Sequence, residues 1–113
     1  MKVKKFVGEL DELNANWIEG NYIPQIVDKE GNTYRISFVD FSKNSVVYLV
    51  AATSQGLDAK EFDKLMTRVR ILRPNATIAC KIVNAHHIDE VYVAWQGKDN
   101  FVNIDAGSTM KEK

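Results

Sequence analysis

TYRISFVDF, residues Thr33–Phe41, alternates: Tyr34, Ile36 and Phe38 fall to one side, and Thr33, Arg35 and Ser37 to the other. Successive side chains of a β-strand point to opposite faces, so the pattern predicts one strand, buried on one side and wet on the other. Everything around it is then a question of what lies beside that strand. Before it, Tyr22–Asp28 is β-rich and is set off by Lys29-Glu30-Gly31-Asn32, where glycine and asparagine tolerate a positive φ. Pro24 cannot donate to a ladder, which puts this first strand at a sheet edge. After it, Ser42-Lys43-Asn44 turns the chain into Ser45–Ala52, whose VVYLVAA is apolar on both faces and belongs inside a sheet.

Two helices frame this meander. Val3, Phe6, Val7, Leu10, Leu13, Trp17 and Ile18 recur at three- and four-residue steps, which predicts a helix near residues 3–19 stopped by Gly20-Asn21. Phe62, Leu65, Met66, Val69 and Leu72 form a second apolar stripe, with Asp58 as N-cap and Pro74 closing the run. Beyond it ATIACKIVN, EVYVAWQ and FVNIDA read as three more strands, the last two joined by a turn at Gly97-Lys98-Asp99-Asn100. Residues 107–113 form a polar tail.

The expected fold is α+β: two helices packed on an antiparallel six-stranded sheet in the order αβββαβββ, within one domain spanning 1–113. That order repeats itself. Sliding the chain by 56 residues aligns units 1–56 and 57–113 as a pseudo-twofold pair, and matches Lys4 with Lys60, Phe6 with Phe62, Ile26-Val27 with Ile82-Val83, Asn44 with Asn100, Val46 with Val102 and Thr53 with Thr109. These are seven identities in 57 pairs, where roughly three or four arise by chance. The middle strands need a slip of one or two residues before their apolar faces agree. A rival arrangement is an OB-like β-barrel with one helix, in which KKFVGELDEL is a strand. Against it stand the helical spacing of Phe6, Leu10, Leu13 and Trp17, and a strand, SVVYLVAA, that such a barrel has no place for.

Composition narrows the function. A chain of 113 residues, 45% hydrophobic and 27% charged, is long enough and apolar enough for a core. Fifteen basic and fifteen acidic residues cancel, which argues against a molecule held on nucleic acid or membrane by its net field. The single Cys80 excludes an internal disulfide and predicts a reducing, cytoplasmic setting. No run approaches the ~18 apolar residues of a membrane span.

The cluster that looks most like chemistry is NAHHIDE, residues Asn84–Glu90. On a strand His86 and His87 point to opposite faces and cannot share one ion. In a turn they are solvated, and no other Cys or His cluster completes a coordination sphere, so a metal site there is rejected. The 56-residue slide places them over Glu30-Gly31, as part of a turn. Ser54, Ser108 and Cys80 have no nucleophile setting, and no glycine loop cradles phosphate. No cofactor and no enzymatic activity are expected.

Asymmetric charge lies on the second helix, with Asp58, Glu61 and Asp63 early and Lys64, Arg68, Arg70 and Arg73 late. Acids near the N-terminus and bases near the C-terminus complement the helix dipole. The same bases, with Arg35 and the aromatic Tyr92, are the candidate binding residues, while Trp17 and Trp95 are assigned to the core. The reading is a small non-enzymatic intracellular binding module, a protein-binding regulator, inhibitor or accessory factor using an edge strand or open sheet face. Its partner is a macromolecule, protein ahead of nucleic acid, and a homodimer fits as well. The alternative is a single-stranded nucleic-acid binder on the OB-like barrel.

Overall fold

The computed structural model describes residues 1–13, 22–28, 30–51, 55–82, 87–96 and 101–106. Among them are helices α1 (Val3–Leu13) and α2 (Ala59–Leu72) and seven strands: β1 (Ile23–Val27), β2 (Thr33–Arg35), β3 (Phe38–Asp40), β4 (Val46–Ala51), β5 (Thr77–Ile82), β6 (His87–Gln96) and β7 (Phe101–Ala106). Neither helix is long and apolar enough to cross a membrane.

Thr33–Phe41 is not one strand. Its halves, β2 and β3, stand at opposite ends of the strand order β2-β1-β7-β6-β5-β4-β3. The burial parity shows why. Ile36 is fully buried, but so is Val39 nearly, at 8%, while Phe38 is 48% exposed. Positions 36 and 39 cannot share a face of an unbroken strand, so the chain bends at Ile36-Ser37. Backbone hydrogen bonds hold the bend from both sides, Ser37 N–H to Val50 O at 2.7 Å and Leu57 N–H to Ile36 O at 2.8 Å.

That bend overturns the antiparallel six-stranded sheet. Arg35 and Phe38 are three residues apart, a reach of about 11 Å at most, whereas the edges of a flat seven-stranded sheet lie about 29 Å apart. The sheet therefore curls until its two ends meet through the chain. It is also mixed: β1 runs parallel to β7 and β4 parallel to β5, while the other pairs are antiparallel. Two groups of strands, β1–β2 with β7 and β3–β4–β5, are bridged by β6. Residues His87–Glu90 of β6 pair with β5, and Val91–Gln96 pair with β7, with a register shift between Val91 and Val93. The OB-like barrel with one helix is overturned as well, because its first strand is helix α1 and Val46–Ala51 lies between two neighbours.

Pro24 is not at an edge, since β1 lies between β2 and β7. Strand β2 covers only Gln25 to Val27. One flank of Pro24 thus lacks a ladder partner among the described strands, and a residue without an N–H is tolerated there.

One register repeats. Moving β1 by 54 residues and β2 by 55 turns the pair Gln25↔Arg35 into Ala79↔Glu90, and Val27↔Thr33 into Lys81↔Ile88. A shift of 55 turns Phe38↔Val50 into Val93↔Asp105, and Asp40↔Tyr48 into Trp95↔Asn103. The parallel pair Ile26↔Ile104 becomes Cys80↔Leu49 by the same shifts. The strands therefore correspond at 54 or 55 rather than 56, and Ile26 is matched in register by Cys80, not by the identical Ile82.

Helix α2 starts with a reciprocal cap, in which Glu61 N–H donates to Asp58 Oδ1 at 2.8 Å and Asp58 N–H to Glu61 Oε1 at 3.2 Å. The first N–H groups of α1 are met by backbone instead: Val3 donates to Ala76 O and Lys4 to Pro74 O. The predicted extension of this helix to residue 19 lies outside the described residues. Helix α1 packs on β5 and β6, α2 on β1, and the helices touch each other. Their apolar faces join one core, in which Phe6, Leu10, Phe62, Met66, Leu49, Ile78, Cys80 and Ile104 are buried.

Candidate functional site

Charged groups first sort into those already engaged and those left over. Asp28, 6% exposed, is the hub of the first hairpin. Its Oδ1 accepts from the N–H groups of Glu30 and Asn32, both at 2.9 Å, and its Oδ2 from the Asn32 amide and the Tyr34 hydroxyl. Burial would raise its pKa, but these hydrogen bonds together hold it below the usual carboxylate value. Burial, and then the Asp28 charge, raise the Tyr34 phenol. This cluster is a turn clamp, closed by Gly31 at φ 86.

The sequence-derived binding residues have separate surroundings where they are described. Arg35 is half-buried beneath Gly56, with a guanidinium nitrogen donating to Leu57 O at 3.1 Å and a buried Nε that has no partner. Arg70 pairs with Asp11 at 3.7 Å on the surface. Arg73, the C-cap of α2, donates through Nε to Lys43 O at 3.1 Å and through a terminal nitrogen to Leu72 O at 3.0 Å. Lys64 and Arg68 stand exposed on α2. Tyr92 lies in β6, but its side chain, like that of Trp95, is outside the described residues, as are His86 and Trp17. His87 begins β6 opposite Ile82, so the strand starts three residues earlier than EVYVAWQ implied and that histidine is not in a turn. Among the described residues no three His, Cys, Asp or Glu are placed to hold a metal ion.

Arg73 instead leads to a surface that the sequence reading passed over. It lines an open cleft of about 460 Å³ together with Phe38, Val39, Asp40, Phe41 and Ser42. Strand β3 forms one side of it and is the terminal strand of the order, so its outer flank has no ladder partner among the described strands. The large apolar side chains exposed among the described residues are Phe38 at 48%, Ile71 at 74% and Leu72 at 49%. Ile71 and Leu72 directly precede Arg73, and the Arg73–Lys43 bond ties that helix end to the turn after β3. Leu72, expected in the buried stripe, is thus on the surface at the last residue of α2. A signal for Phe38 was present: Phe38 and Val39 are adjacent apolar residues, which an alternating strand does not supply. Nothing in the pattern showed that the following turn would meet the helix end.

Electrostatics add to the apolar floor. Asp40 accepts from the Ser42 N–H at 3.0 Å and the Ser42 hydroxyl at 2.8 Å, and these bonds lower its pKa, helped by the charges of Lys81 and Lys43. Lys81 lies over the Tyr48 ring, 5.9 Å from its centroid, and Tyr48 is the cross-strand partner of Asp40. Comparison with models of known families, with curated proteins and with solved structures found no match.

Proposed function

We propose that this chain is a small non-enzymatic binding module, a regulator or accessory factor that takes an extended segment of a protein partner along β3. The observation that carries the reading is the half-exposed Phe38 on a terminal strand, at a cleft that Val39, Phe41 and Arg73 also line. An unpaired strand flank offers main-chain hydrogen bonds, and adjoining apolar pockets select side chains. The nucleic-acid reading is the weaker one. Of its five basic contacts, Arg35 and Arg70 already serve protein groups, and Arg73 lies at the β3 cleft, which leaves Lys64 and Arg68 on the helix. The buried free thiol of Cys80 suits a reducing compartment such as the cytoplasm.

The test is affinity capture with the full chain and with Phe38→Asp. A partner recovered by the first and lost by the second, with unchanged melting of the bait, supports the reading. A partner retained equally by both places the interface elsewhere and refutes it.

A further inference from the structure

We propose that the β3 surface recognises an acidic extended segment, with apolar side chains alternating with carboxylates; this rests on the strand-docking reading above. The charges around β3 decide the sign. Among the described residues Lys43 follows β3, Arg73 lines its cleft and Lys81 reaches toward Asp40 from β5, against the carboxylate of Asp40. That carboxylate is already used by the Ser42 backbone and hydroxyl, so it is turned to the protein's own turn. A segment laid along β3 presents alternate side chains to two sides. On one side β3 presents Phe38 and Asp40, with the Lys81 ammonium reaching over Tyr48, the cross-strand neighbour of Asp40, from two strands inside. On the other side lie Val39 and Phe41, with the Arg73 guanidinium at the cleft wall. Nε and one terminal nitrogen of Arg73 are held by Lys43 O and Leu72 O, which orients the fork. Apolar contact at Phe38 and carboxylates near Lys43 and Arg73 suit this surface, whereas a basic segment meets like charges there.

Fluorescence anisotropy with the full chain tests this, using two labelled octapeptides, one alternating leucine with glutamate and the other leucine with lysine. The glutamate peptide is expected to bind at least about tenfold more tightly than the lysine peptide, with the difference shrinking at high salt. The double variant Lys43→Glu/Lys81→Glu changes two exposed side chains and should lose about tenfold for the glutamate peptide; Phe38→Asp should lose as much. Equal binding of both peptides, still sensitive to Phe38→Asp, overturns the acidic assignment and leaves strand docking standing. Binding indifferent to Phe38→Asp overturns both. Failure of the glutamate peptide to bind overturns the proposal, as does preferential binding of a labelled oligothymidine strand that the lysine double variant abolishes, since the cations would then serve phosphate.

Discussion

Replacing Asp28 measures how much of the first hairpin rests on one carboxylate. Asp28→Ala removes the acceptor of two backbone N–H groups, the Asn32 amide and the Tyr34 hydroxyl at a position only 6% exposed. Hydrogen bonds to a charged group contribute roughly 1.5–3 kcal/mol each, and water reaching the opened turn recovers part of that, so a net loss of about 2–4 kcal/mol is expected. Unfolding entropy near 2.1 cal/mol/K per residue makes 1 kcal/mol worth about 4 °C for 113 residues. The melting temperature at pH 7 should fall by about 8–16 °C. Asp28→Asn keeps an acceptor of the same shape without the charge, and should lose about half as much. The pH dependence has a definite sign. The folded-state pKa of Asp28 is depressed, so its stabilisation is complete above the unfolded value near 3.9 and fades as pH falls through the lower folded value. Thermal melts by circular dichroism at pH 7, 5, 4 and 3 should therefore show the gap between wild type and Asp28→Asn closing only below about pH 4. A gap that is absent at pH 7, or the same at every pH, refutes the clamp.

Gly56→Ala tests the approach between the segment before α2 and the bend: the added Cβ would lie 2.7 Å from Arg35 Cβ, an atom too near the backbone to swing aside. A loss of about 1–3 kcal/mol in a urea titration is expected, and Arg35→Ala should not rescue it because the clashing atom remains. Asp58→Ala removes the side-chain acceptor of the Glu61 N–H, leaving only the return bond from the residue-58 N–H to Glu61 Oε1, and should lower the melting temperature by about 4 °C, with little change when Glu61→Gln keeps the return bond. Arg70→Ala, by contrast, removes a 3.7 Å pair whose side chains are 54% and 65% exposed, so a shift beyond about 2 °C would contradict its surface assignment.

Local signals were legible where the period was clean. FVNIDA is strand β7 over Phe101–Ala106, VVYLVAA places β4 between two neighbours, and the spacing of Phe62, Met66 and Val69 names the buried side of α2. Cys80 sits in the core beside Ile78 and Ile82, as its strand parity required. What failed was inference about which strands neighbour which. Pro24 argues for an edge only if its N–H side must be paired, and a two-strand overlap that stops at Gln25 removes that condition. Alternation in TYRISFVDF is real through Ile36, and the parity change at Phe38-Val39 was the only local mark of the bend. The candidate surface was missed for a related reason: Arg73 was read as a charge on α2, whereas its role follows from a turn 30 residues away in sequence.

The bend and the exposed surface are one consequence of the same pairing rule. Thr33–Asp40 gives its first half to β1 and its second half to β4, as β6 gives its halves to β5 and β7. A strand that serves one neighbour per half leaves the opposite flank of each half without a ladder. At the bend that flank is closed by the segment before α2, through Leu57 N–H to Ile36 O, Ser37 Oγ to Gln55 O and the Arg35 guanidinium to Leu57 O. No such closure reaches Phe38–Asp40 among the described residues, and the terminal strand keeps its outer main-chain groups and a half-exposed phenylalanine together. An exposed flank of this kind is a hazard for non-specific pairing unless charge guards it. Lys43 and Arg73 stand beside this flank, the kind of charge that discourages pairing with a second like-charged strand.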